Sequence, residues 1–188
     1  MKIRDSGMPE EQYWESFFDP GFIFSQLNLD ISISDAAEFG SGYGTFTIPA
    51  AKIIKGRLYA FDVDPVVTER LKLRITGQNV ENIQIQIRDL MNEGTGLDDN
   101  SVDYVMLFNI LHAEDPISLL KEAYRILRTG GYVGIIHWIY SDSTPRGPSL
   151  NIRPKPEQCI SWLRESGFRE ISNVVSLPPY HYGILALK

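Results

Sequence analysis

One cysteine, Cys159, stands among 188 residues. No disulfide framework can be built from a single thiol, and such a chain suits a reducing compartment, which makes a cytoplasmic location the expectation. Long apolar runs are missing too. Nothing approaches the ~20 residues that span a bilayer, and the opening Met-Lys-Ile-Arg-Asp-Ser-Gly-Met-Pro-Glu offers no apolar stretch for a secretory signal. Positive charge is in the minority: 18 Lys and Arg face 24 Asp and Glu, for a net charge of −6. A domain that grips a phosphate backbone is usually basic, so nucleic acid is disfavoured as a partner. Internal repeats and low-complexity segments are absent, and no metal site is expected. Two phosphate-binding patterns are also absent. Without G-x-x-x-x-G-K-[ST] there is no triphosphate loop, and without G-x-G-x-x-G the nicotinamide and flavin fingerprint is lost. What remains is ordinary globular composition, 43% hydrophobic and 22% charged, enough for one domain over 1–188 with a substantial core.

The chain is organised around residues 36–47, Ala-Ala-Glu-Phe-Gly-Ser-Gly-Tyr-Gly-Thr-Phe-Thr. A short apolar run reaches Glu38, glycines alternate at Gly40, Gly42 and Gly44, and a helix-like apolar pattern follows. The pattern predicts a strand, a tight turn and a helix. Glycine admits positive φ and lets a ligand approach the backbone, while the free N–H groups at the helix start favour a negative group.

Upstream, 9–28 carries Tyr13, Trp14, Phe17, Phe18, Phe22 and Phe24, broken by Asp19-Pro20-Gly21, which predicts two short helices. Half of these aromatics would pack on the core, and their excess suggests a lid over a ligand cleft. Downstream, a helix is expected over about 44–55, strands over 58–62 and 83–87, and a helix over 66–76. A strand over 102–108, a helix over 116–128 and a strand over 132–139 follow. Strand and helix thus alternate five times, which calls for a doubly wound parallel sheet. The tail departs from this. A helix over 156–166 precedes strands over 168–176 and 182–187, whose short connection demands antiparallel pairing.

In such sheets ligands bind at the carboxyl ends of the strands. The residues there are Glu38 to Gly44, Asp62, Asp89, Asn109 and His137-Trp138. Three carboxylates suit a ligand rich in hydroxyls and amines that carries positive charge. Glu38-x-Gly40-x-Gly42-x-Gly44 resembles the first motif of the class I S-adenosylmethionine-dependent methyltransferases. Tyr59-Ala-Phe-Asp62-Val-Asp-Pro65 is similar to their second motif, and Arg88-Asp89-Leu90 to the segment that reads adenine. The run from Asp103 to His112 resembles the motif bordering the transferable methyl, and Leu127-Arg-Thr-Gly-Gly131-Tyr132 the turn before strand five. The likeness covers nearly the whole chain and points to the branch of ubiquinone and menaquinone biosynthesis enzymes.

The resemblance implies an α/β, Rossmann-like, doubly wound seven-stranded sheet, mostly parallel with an antiparallel C-terminal hairpin strand. It implies S-adenosyl-L-methionine as cofactor, S-adenosyl-L-homocysteine as product and a small-molecule methyl acceptor. Cofactor-binding residues would be Glu38, Gly40, Ser41, Gly42, Tyr43, Gly44, Asp62, Val63, Asp89, Leu90, Phe108 and Asn109. Asp62 would hold the ribose hydroxyls, Val63 an adenine face and Asp89 the adenine amine. Each keeps a plainer use: Asp62 as a helix cap, Asp89 as a loop carboxylate, Tyr43 as a cover for the glycine turn. Asp64, before Pro65, is the better capping residue. His137, His112 and Tyr140 are the candidates for the acceptor pocket and for a base, with His181 beside them. Arg146 or Arg153, in the long loop 141–154, could hold an acidic acceptor. Arsenite methyltransferases, which resemble this branch, need several cysteines, and Cys159 alone does not supply them. Two other readings are a nicotinamide-dependent oxidoreductase, whose glycine spacing is wrong here, and a module that binds the cofactor without turnover.

Overall fold

The computed structural model describes residues 9–188. Most of the opening segment inspected for a leader, residues 1–8, lies outside the described residues. Two short helices come first, α1 (Glu11–Glu15) and α2 (Pro20–Gln26). Asp19 divides them: its carboxylate accepts the Phe22 N–H at 3.0 Å, and Pro20 fills the first turn, where its missing N–H costs nothing. Next come β1 (Ala36–Phe39), α3 (Thr47–Ile53), β2 (Leu58–Asp62), α4 (Pro65–Gly77), β3 (Ile83–Ile87) and α5 (Leu90–Glu93). They are followed by β4 (Val102–Phe108), α6 (Pro116–Ile126), β5 (Leu127–Trp138), α7 (Pro156–Glu165), β6 (Glu170–Ile171), β7 (Val175–Leu177) and β8 (His181–Leu187).

The strands form one sheet in the order β3-β2-β1-β4-β5-β8-β6, with β7 also paired to β8. The first five are parallel, and β8 runs antiparallel to β5, β6 and β7. Side chains alternate across it as the period of two requires. Val105 and Leu107 of β4 join Leu119, Leu120 and Ala123 of α6 and Leu163 of α7 on one face. Tyr104, Met106 and Phe108 meet Ile23 and Phe24 of α2, Ala50 of α3 and Leu71 of α4 on the other. With both faces covered, the central strands read as continuous apolar runs. The order reverses between β1 and β4, and the carboxyl ends there frame the site.

The fold is the doubly wound α/β architecture expected, with three local differences. The sixth strand is split: the Ser172 hydroxyl accepts the Leu185 N–H at 3.0 Å where a strand carbonyl would, so the ladder breaks and resumes as β7. The sheet therefore holds eight strand segments rather than seven. Helix α3 begins at Thr47, because Gly44 sits at φ +87°, outside the helical region. Finally, α6 stops at Ile126, whose carbonyl accepts the Ser101 N–H at 2.7 Å, so β5 starts at Leu127 instead of 132.

Buried Tyr104 donates its hydroxyl to the Leu27 carbonyl at 2.8 Å, which fastens the end of α2 to the sheet. Tyr104→Phe orphans that carbonyl and is expected to lower the unfolding free energy by about 1–2 kcal/mol. Urea denaturation followed by circular dichroism checks this, and an unchanged midpoint would show that the bond does not secure α2.

Candidate functional site

A cleft of about 310 Å³ opens at the carboxyl ends of β1, β2 and β4. The turn after β1 builds one side. Gly40, Gly42 and Gly44 all have positive φ, and the N–H groups of Gly40 and Ser41 both donate to the Phe61 carbonyl, at 2.8 and 2.9 Å. A Cβ on Gly40 would stand 3.0 Å from Ile110 Cδ1, and one on Gly44 would stand 2.3 Å from Leu71 Cδ1. Glycine at Gly44 is thus a packing requirement of α4. The Gly42 N–H reaches across to Asp62, donating to Oδ2 at 2.8 Å, while the Asp64 N–H donates to Oδ1 at 3.0 Å. Asp64 itself caps α4.

Four polar atoms on the wall of this cleft are buried without a hydrogen-bond partner: Ser41 Oγ, Thr45 Oγ1 and both amide atoms of Asn109. Asn109 is also held at φ +58°, a strained position for a residue other than glycine. Buried polar groups in native proteins are nearly always paired. Orphans gathered in one cleft make it the candidate ligand site.

Glu38, Gly40, Ser41, Gly42, Asp62, Val63, Leu90, Phe108, Asn109 and His112 are brought together on the wall. The other candidates lie elsewhere. Gly44 is behind the turn, and Tyr43 beside it donates its hydroxyl to the Pro9 carbonyl at 3.1 Å. The Asp89 carboxylate caps α5, accepting from the Met91 N–H at 3.1 Å and from the Asn92 amide at 2.9 Å. His137 is wholly buried, its ring 5.6 Å from that of His112, and Tyr140 lines a different cavity. Arg153 does not reach for a ligand, for its guanidinium donates to the carbonyls of Ile139, Ser141 and Pro148 and to the Thr144 hydroxyl. The cleft also takes in Thr45, Phe46 and Pro148, which sequence reasoning did not single out.

Trp14 of α1 and Trp138 of β5 complete the wall, with ring centroids 6.4 Å apart. Helix α1 buries no residue of its own. Besides that ring contact a guanidinium anchors it: Arg74 of α4 pairs with Glu11 at 2.9 Å and Glu15 at 2.7 Å, and donates to the Tyr43 carbonyl at 2.9 Å. Nothing in the spacing of these residues announces that contact.

A family model described as a methyltransferase domain matches residues 37–135, more than half of the chain. The chain belongs to this methyltransferase family. The demethylmenaquinone methyltransferase of Staphylococcus epidermidis is 34% identical over 114 residues, 59% of this chain and 45% of that protein. The ribosomal protein L11 methyltransferase of Anoxybacillus flavithermus is 33% identical over 98 residues, covering 50% and 28%. The chain therefore spans less than half the length of these curated relatives. In fold it is similar to a SAM-dependent methyltransferase from Aquifex aeolicus, with a TM-score of 0.82 at 22% identity over 95% of this chain and 93% of that one.

This methyltransferase domain keeps unusual charges at the cleft. Glu38 is 1% exposed, and burial pushes its carboxyl up to about 8; the Thr47 hydroxyl, donating at 2.5 Å, opposes the shift and the Asp62 charge adds to it. Burial also raises Asp62, against the N–H groups of Asp64 and Gly42. Two histidines behind the cleft go the other way. Burial holds His137 well below 6.5, with the neighbouring His112 and His181 adding, and it lowers His181 to about 3, with Arg153 adding. Neither ring has a hydrogen-bond partner for either nitrogen.

The signs set a pH profile for the ligand-free protein. Between about pH 4.5 and 6.5 the unfolded chain binds protons at both histidines that the folded chain refuses, whereas folded Glu38 keeps one that the unfolded chain releases. The two histidines act in one sense and Glu38 and Asp62 in the other, and the histidines' contribution to stability grows as pH rises toward 6.5. From 6.5 to 8 the unfolded histidines have largely lost their protons while folded Glu38 still holds one that the unfolded chain has released, so stability falls as pH rises. A maximum near pH 6.5 is expected in urea midpoints measured across pH 5–9. Glu38→Gln should keep the acid limb and flatten the alkaline one; an alkaline limb that survives the substitution would contradict the buried, protonated carboxyl.

Proposed function

We propose that this chain transfers the methyl group of S-adenosylmethionine to a small-molecule acceptor in the cytoplasm, as one domain whose residues 9–28 close over the core of 31–188. The observation that carries this reading is the glycine cradle with its orphaned polar groups, the buried carboxyl of Glu38 and the half-buried carboxylate of Asp62. Together they fit a ligand that brings hydroxyls to Asp62, hydrogen bonds to Ser41, Thr45 and Asn109, and positive charge to Glu38. A nucleotide's phosphates would instead meet two carboxylates. Val63 and Leu90, on the wall beside Asp62, suit the adenine.

When bound, the cofactor supplies a methyl group already activated by its sulfonium. What the chain contributes is alignment and the exclusion of water. Trp14, Phe46, Phe108 and Trp138 present apolar surface that keeps solvent out, and α1 carries Trp14 into place. Glu38, neutral in the ligand-free protein, would lose its proton beside the positive charge of the bound cofactor and then balance it. Among the described residues His112 is the histidine on the cleft wall, so it is the group placed to take a proton from an acceptor that must lose one. His137 supports it from behind. The acidic surface turns nucleic acid away, and the lone buried thiol of Cys159 suits the reducing cytoplasm. No helix among the described residues is long and apolar enough to cross a membrane.

Asp62→Ala removes the proposed ribose contacts and should weaken S-adenosylhomocysteine binding by roughly 1.5–3 kcal/mol, as for hydrogen bonds to a charged group. Calorimetry on a variant of unchanged circular dichroism measures this, and full affinity would move the ribose ligand elsewhere. A methyl-release assay over an acceptor panel then tests turnover. Release on any acceptor supports the enzyme, whereas binding without release on every one would make the chain a cofactor-binding module.

A further inference from the structure

A second cavity, about 620 Å³, lies between the loop after β4 and the loop joining β5 to α7. Its size is that of a small-molecule site. His112 and Ala113 line both this cavity and the first cleft. A molecule seated in the second can therefore present an atom beside His112, at the edge of the cofactor cleft. Pro116, Ile152 and Trp162, all partly exposed, give it an apolar wall against which a ring or short alkyl body can pack.

Its charges are unequal. Arg153 and Lys155 line it against one carboxylate, Glu114. Arg153 is only 6% exposed, and its N–H groups are satisfied by carbonyls and one hydroxyl. Such contacts satisfy the donors and leave the positive charge uncompensated, which is costly inside a protein. Burial lowers the pKa of Arg153 with no carboxylate acting to restore it. Lys155 forms no ion pair among the described residues either. Its ammonium is held 4.5 Å from the centre of the Tyr140 ring, at the start of α7, where the helix adds positive potential.

We propose that this second cavity recognises the methyl acceptor, and that the acceptor is a small molecule bearing a single carboxylate on an apolar body. The proposal rests on the methyltransferase reading above. The carboxylate is held by Lys155 in the field of Arg153, and the body lies along Ile152 and Trp162 with its nucleophilic end toward His112. Two cations set against one carboxylate leave one positive charge to be matched.

The test uses the whole chain with saturating S-adenosylhomocysteine and titrates benzoate, phenylacetate and 4-hydroxyphenylacetate, each beside its amide and its primary amine. At least one acid should bind at least about tenfold tighter than its amide and amine, as expected when a charge-assisted contact is lost. Lys155→Glu, at an exposed position, should erase that preference while S-adenosylhomocysteine affinity stays unchanged. Failure of all three acids to bind, equal binding of acid and amide, tighter binding of the amine, or a preference that survives Lys155→Glu would each overturn the proposal. Loss of S-adenosylhomocysteine binding in the unmodified protein would overturn the methyltransferase reading instead, so the two failures are distinguishable.

Discussion

The hydrogen bond from the Gly42 N–H to the Asp62 carboxylate joins the turn after β1 to the end of β2. Much of the site follows from that one contact. It draws the glycine turn over the strand ends, where Gly40 and Ser41 also bond the Phe61 carbonyl, and it fixes the carboxylate at the mouth of the cleft. The turn can close only because Gly40, Gly42 and Gly44 accept positive φ, and α4 packs closely because Gly44 lacks a Cβ. Asp62 still has lone pairs for a ligand, since each oxygen takes one backbone N–H.

The site is where the fold tolerates costs it avoids elsewhere. Glu38 is a buried carboxyl and Asp62 a half-buried carboxylate, both with raised pKa values, Asn109 is strained, and Ser41, Thr45 and Asn109 leave polar atoms unpaired. Each of these lowers the stability of the ligand-free chain. Their clustering in one cleft is what a preorganised binding site requires, because the ligand then meets groups that no longer need to be desolvated. The apolar layers on both faces of the sheet, with β4 buried between them, supply the compensating stability.

Much of this was legible in the sequence. Apolar periodicity located the five parallel strands, the terminal hairpin and the break at Asp19-Pro20, because these depend on local pattern and turn chemistry. Glu38, the glycines and Asp62 were legible because their spacing reports a strand end and the turn that follows. What escaped depends on long-range contacts. Arg74, 63 positions from Glu11, holds the first helix, and Arg153 organises its loop through carbonyls that leave no trace in the sequence pattern. Asp89 occupies a strand end yet spends its carboxylate on a cap, and His137 sits on β5 facing the core. Side-chain direction at a strand end depends on register and packing, which spacing alone does not fix. The Ser172 interruption is likewise a single side-chain bond in the ladder.

Family membership and fold leave the ligand to be tested directly on the protein. The most direct measurement is calorimetric titration of the purified chain with S-adenosylmethionine, S-adenosylhomocysteine and NADH in parallel. Micromolar binding of the first two with none of NADH is the expected result, since the cleft presents two carboxylates and no G-x-G-x-x-G turn. Binding of NADH alone would contradict the assignment of the cleft to the sulfonium cofactor.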